Sequence, residues 1–258
     1  MLRSFRPALV VARFAAIEAL RSGLPWAALA GLLAVAVLSL FLSRVAITET
    51  TALQASVAAS LLRVLAVFLL ATHVVASTAR EAADKGLELA LALPVARPSY
   101  YLGKLLGFAG VAFLLAVAFA LPLLALAKPA DVAAWGLSLA LEATLVAAAA
   151  LLFASALGHT LAALATTVAL YVLGRAMTAV QVIASGPLAS ESAAGDAARE
   201  IVNALALLLP RLDTVTRSDW LLYGAPAAGE TALILAGTAV YVVLLAAAGL
   251  FDFSRRNL

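Results

Sequence analysis

An all-α membrane protein with six transmembrane helices in one domain, residues 1–258, is what the sequence predicts, on three observations. Of the 258 residues 65% are hydrophobic and 12% are charged, with a mean hydropathy of +1.09, whereas a soluble domain carries about a quarter charged residues. The long apolar runs each reach the roughly 20 residues that a helix needs to cross a bilayer. The arginines and lysines collect in alternate connections, which fixes an orientation across the membrane. Cys is absent, so a disulfide framework and a thiolate metal site are both excluded. The net charge of +3 comes without a basic patch interleaved with stacking aromatics, so the partner indicated is the lipid bilayer and not a nucleic acid.

Residues 1–22 carry Arg3, Arg6, Arg13 and Arg21 ahead of the first long apolar run. Arg13, Glu18 and Arg21 interrupt any short apolar core, so a cleaved leader is rejected and an interfacial elbow helix is expected. Its periodicity is weak, because Arg13 projects to the side of Ile17 and Leu20 and the opposite side is mostly alanine. The spans are expected near 24–42, 55–76, 101–127, 133–157, 161–184 and from about 231 to Phe251, with turns at Lys128-Pro129 and at Gly158-His159. Gly103 and Gly107 form a small-residue pair at helical spacing, suited either to packing within the bundle or to subunit pairing.

Between the second and third spans lies the one long charged connection, residues 77–100. Thr78 followed by Glu81 has the spacing of a capping box, which predicts a short helix starting there, and Pro94 supplies a stop. Glu81 and Lys85 fall four apart on one face, while Asp84 and Glu88 repel. A charged turn that only connects two spans is the plain alternative. The order Glu81, Lys85-Gly86, Glu88, Leu93-Pro94-Val95, Arg97 and Gly103-Lys104 resembles the loop after the second span in type 2 (exporter-like) ABC transporter permeases. That resemblance implies a cytoplasmic coupling helix docked on a separate ABC ATPase through Glu81, Asp84, Lys85, Gly86 and Glu88. Pro94, Arg97 and Lys104 then mark the return into span three. It further implies a second permease copy or a related permease, a bacterial inner-membrane location, and ATP with Mg held in the ATPase partner and no cofactor in this chain.

The side holding both termini and this loop carries Arg3, Arg6, Arg13, Arg21, Arg80, Lys85, Arg97, Lys104, Arg255 and Arg256, against Arg44, Lys128, Arg199, Arg211 and Arg217 on the other. Both termini are therefore expected to be cytoplasmic, with residues 185–230 outside. There Asp196 can cap a helix bearing Ile201, Leu205 and Leu208 and ended by Pro210, and Trp220 and Tyr223 suit a membrane interface. A plain surface helix is one reading; the resemblance offers an external gate built from Leu205, Leu208, Pro210 and Trp220.

Arg63, His73, Glu142 and Arg175 are ionisable groups inside spans and need a reason to be there. They either line a polar pathway or neutralise one another in a packed bundle, and Glu142 with Arg63 or Arg175 is the expected pairing. His73 and His159 are expected near the cytoplasmic surface, where two separate histidines make no metal site. No phosphate-binding GxxxxGK[ST] loop, HExxH or GxSxG occurs in the sequence, so ATP hydrolysis and hydrolytic chemistry are not expected of this chain. The expected function is an ATP-driven export permease. The alternatives are a secondary transporter driven by an ion gradient, which predicts inverted repeats and broken spans, and a non-transporting anchor.

Overall fold

The structure, a computed structural model, describes residues 5–45, 49–84, 96–185 and 193–255. Helix α1 (Phe5–Arg21) leads into α2 (Leu24–Val45), α3 (Thr50–Ala83), α4 (Arg97–Ala120), α5 (Pro129–Leu157), α6 (Thr160–Ser185), α7 (Ala193–Leu208), the four-residue α8 (Trp220–Tyr223) and α9 (Ala228–Arg255). Six of these, α2 to α6 and α9, are long and apolar enough to cross a membrane. The protein is a multi-pass helical membrane protein. Pro122 falls in a 3-10 turn, Leu121–Ala125, that prolongs α4, and Pro129 opens α5, where a missing N–H costs nothing. Gly158 closes α5 with φ +67, a left-handed cap that glycine adopts without a Cβ penalty.

Helix α5 is the central rod, packed against α3, α4, α6 and α9. Ala143, Ala147, Ala148, Ala150 and Trp135 on it are fully buried, and the run of alanines lets neighbouring backbones come close. Helices α2 and α9 lie outside, with Trp26, Val37, Leu40, Leu233 and Val243 exposed, as a lipid-facing surface requires. Gly31 lets α2 rest directly on Leu65 of α3.

Helix α1 packs across α4 on its alanine side: Ala8, Ala15 and Ala19 are buried, and Leu9, Val10 and Phe14 face out. A Cβ on Gly103 would stand 2.6 Å from the Ala8 carbonyl oxygen, and one on Gly107 2.7 Å from that of Ala12. The glycine pair therefore serves packing within this chain, against the first helix.

Two boundaries differ from the sequence expectation. The second span and the expected separate helix at Thr78 are one continuous helix, α3, to Ala83. Thr78 lies inside it and donates its hydroxyl to the Val74 carbonyl at 2.8 Å, a back-bond available only to a residue already in a helix. An N-cap needs extended backbone before the first turn, and nothing between Ala76 and Ala83 breaks the helix to provide one. Asp196 likewise does not cap α7, which starts at Ala193.

Helix α7 packs along α6 and keeps Ile201 and Leu205 exposed. It runs back down beside α6: Arg199 donates to the Ala184 carbonyl, and Gln181 to Asn203. At Gly174 a Cβ would meet the Pro210 carbonyl at 2.8 Å. The partners descend together in antiparallel order, so α6 and α7 form a hairpin. At 1.5 Å per residue Gly174 lies about 16 Å from the Ser185 end of α6, near the middle of this 26-residue helix. Residues 193–223 thus enter the bundle, turn near its middle and climb out again.

Candidate functional site

The turn of that re-entrant segment, residues 209–219, is the only stretch of irregular backbone among the described residues that reaches into the bundle. Leu212, Val215 and Thr216 are fully buried. Irregular backbone at membrane depth persists only where protein satisfies its polar groups, and here arginines from two spans serve the carbonyls while a third span bonds a side chain of the turn. Arg175 Nη1 donates to the carbonyls of Leu212 at 2.7 Å and Val215 at 3.1 Å, and Nη2 reaches that of Thr216 at 3.4 Å. Arg63 Nη1 donates to the same Thr216 carbonyl at 2.9 Å. Thr178 donates to Asp213 at 2.6 Å, the Ser60 and Ser218 hydroxyls are 2.7 Å apart, and Ser138 Oγ lies 3.2 Å from Thr216 Oγ1. Thr216 adopts φ +51, a left-handed conformation that costs a β-branched residue about 1–3 kcal/mol and survives because these bonds over-determine it.

Glu142 completes the group. Its carboxylate accepts from Arg175 Nη1 at 2.9 Å and is fully buried, the arginine side chain being 20% exposed. One guanidinium thereby bridges α5 to the turn. Arg63 forms no ion pair with Glu142; its Nη1 goes to the Thr216 carbonyl. The Tyr171 hydroxyl, also buried, neighbours both Glu142 and Arg63 and so belongs to the same group.

A second polar group lies at the opposite end of the bundle, where α1 and the 84–96 connection are. Glu81 on α3 accepts from Lys104 and from the Tyr100 hydroxyl, both on α4. Glu18 on α1 accepts from Ser77 at 2.8 Å and from Arg80 at 3.3 Å. Three helices are thus pinned at the base of the connection. Beside the pin is a cavity of about 360 Å³, lined by Glu81, Tyr100, Lys104, His159, Leu151 and Phe253 among others.

Several sequence-predicted residues fall elsewhere than expected. Glu81 is turned toward α4 and engaged in an ion pair. Asp84 is the exposed residue that ends α3. Lys85, Gly86, Glu88 and Pro94 lie outside the described residues, while Arg97 opens α4. Lys104 is buried, its ammonium 5.8 Å from the Phe108 ring centroid, and so is a bundle residue more than a marker of re-entry. His73 is buried in α3, edge-on to Phe108, at the end of the bundle that holds Glu18, Arg80 and Lys104; His159 is exposed. Leu205 is exposed, and the Leu208 side chain lies outside the described residues. Pro210 is buried, and so is Trp220 at 4% exposure. Trp220 therefore packs into the bundle where an interfacial position was expected, because α8 follows the re-entrant turn; Tyr223, 88% exposed, takes the outer position. Among the described residues no group of His, Asp and Glu could hold a metal ion.

Sequence reasoning missed Thr216, Asp213, Ser138 and Gly174 at the turn, and Glu18 and Tyr100 at the pin. The signal available was polar density: Arg211, Asp213, Thr214, Thr216 and Arg217 fall within seven residues of an otherwise apolar chain. A scan of the chain against protein-family models finds no match, and a search of curated proteins finds no relative.

Proposed function

We propose that this protein is the membrane-spanning permease subunit of an ATP-driven ABC transporter of the type 2, exporter-like class, in a bacterial inner membrane. The observation that carries the reading is the pin: Glu81 with Tyr100 and Lys104 ties the two stems of the 84–96 connection together, and Glu18 ties α1 to the same place. A push on that connection would be delivered to α1, α3 and α4 as a unit and would not be absorbed by bending. The family resemblance of residues 81–104 supplies the partner that pushes, a separate ATPase holding ATP and Mg. In this reading both termini are cytoplasmic, two permease copies enclose one pathway, and the turn at 209–219 closes the bundle toward the outside. Closure of the ATPases moves the pinned unit, and the far turn responds as a two-state element.

The test is to purify the tagged chain from its native membrane and assay the eluate for ATPase activity. An ATPase should come with the wild type and be lost from a D84K/E88K chain, since reversed charges oppose docking. E81Q should still bring the ATPase down but should uncouple hydrolysis from transport, because it loosens the pin without altering the outward charges. An ATPase absent from the wild type, or external labelling of Lys85 in intact cells, would overturn the reading.

A further inference from the structure

We propose that the groove between the re-entrant turn and α9 binds an anionic amphiphile from the bilayer, with its phosphate or carboxylate on Arg211 and its alkyl chain along α9. The inference stands on the groove alone and does not depend on an ATPase partner. The groove holds about 390 Å³. One wall is Pro210, Arg211 and Thr214; the other is the α9 stripe Ile234, Gly237 and Tyr241. A Cβ on Gly237 would meet nothing within 4 Å, so the missing side chain widens the groove.

Depth and charge name the ligand. Arg211 follows Pro210, whose carbonyl touches the middle of α6, yet Arg211 is exposed. A guanidinium at that depth is expensive unless a counter-charge or a polar cavity receives it. Within the protein the balance fails: Arg63, Arg175 and Arg211 stand against Glu142 and Asp213, of which Glu142 is paired with Arg175, while Asp213 accepts from the neutral Thr178 hydroxyl and is ion-paired to none of the three. No carboxylate among the described residues forms an ion pair with Arg211. The surplus over the group is a single positive charge; of the two arginines without a carboxylate, Arg63 is spent on the Thr216 carbonyl, and Arg211 is the exposed one, in a groove walled by Ile234 and Gly237 and open to the side where Leu233 is 76% exposed. A forked cation at the head of an apolar slot is complementary to an acyl-chain anion.

The full chain, delipidated in detergent, is offered equimolar phosphatidylglycerol and phosphatidylcholine and examined by native mass spectrometry. The wild type should retain phosphatidylglycerol preferentially. R211Q should weaken that retention by roughly tenfold, the loss of one charge-assisted hydrogen bond. G237L, which fills the slot without touching the charge, should weaken it too, and R217Q should not. Oleate should displace the lipid and inorganic phosphate at the same concentration should not, which separates an amphiphile from a bare anion. Equal retention of the two lipids, full retention by both R211Q and G237L, or displacement by phosphate would overturn the proposal. So would disulfide formation between two G237C chains in membranes, since the groove would then be covered by a second copy.

Discussion

Replacing Arg175 with leucine should destabilise the protein by about 3–5 kcal/mol, the range found when one partner of a buried ion pair is removed, and should release the re-entrant turn. The substitution strips Glu142 of its cation and leaves the buried Val215 carbonyl unsatisfied, while the Leu212 carbonyl keeps only the Val215 N–H. Removing both charges, as in R175L/E142L, should recover part of the loss, because the stranded carboxylate is gone, but not all of it, because the Val215 carbonyl still lacks its donor. R175K keeps the charge without the fork that serves several acceptors at once, and should fall between. Thermal unfolding in detergent reads the energies. Release of the turn is read separately: Leu212 is 1% exposed, so in this cysteine-free chain L212C should resist a maleimide and become reactive when R175L is added. Continued protection of L212C in R175L would show that Arg63, Thr178 and packing hold the turn without Arg175.

The spans were legible because their signal is local. Hydropathy over some twenty residues does not depend on what the helix packs against, and Pro129 and Gly158 carry their own backbone preferences. The Glu142 to Arg175 pairing was legible for a related reason: few charges occur at that depth, so the candidate partners are few. What the sequence hid depends on tertiary placement. The Thr78 and Glu81 spacing fits a capping box, yet the same residues serve equally well in mid-helix, and a span that simply continues leaves no mark in the sequence. The segment 193–223 reads as a surface helix with an interfacial aromatic because its depth is set by contacts from Arg63 and Arg175, more than a hundred and more than thirty residues away respectively. On α1 the alanines weaken the periodicity, since alanine marks a close-packed face only when the partner face, here Gly103 and Gly107, is known.

The combined substitution G103L/G107L should detach α1 from the bundle. Each added side chain begins against backbone: 2.6 Å from the Ala8 oxygen and 2.7 Å from the Val11 Cβ at position 103, and 2.7 Å from the Ala12 oxygen and the Ala15 Cβ at position 107. A flexible neighbour would yield, but a helix backbone moves only as a whole, so each site should cost at least the roughly 1–3 kcal/mol of an overpacked core. Gly110, on the same helix, is the control, since a Cβ there meets nothing within 4 Å; G110L should change stability by no more than about 0.5 kcal/mol. The consequence extends past α1 itself. Glu18 lies on α1 just beyond Ala15 and accepts from Ser77 and Arg80, so a displaced α1 removes one of the two ties at the base of the 84–96 connection. A short bismaleimide should bridge E18C to S77C in the otherwise unchanged chain and fail to do so in G103L/G107L. If the bridge forms equally in both, α4 has shifted to accommodate the leucines while α1 stayed beside α3, and the glycine face is not what seats α1.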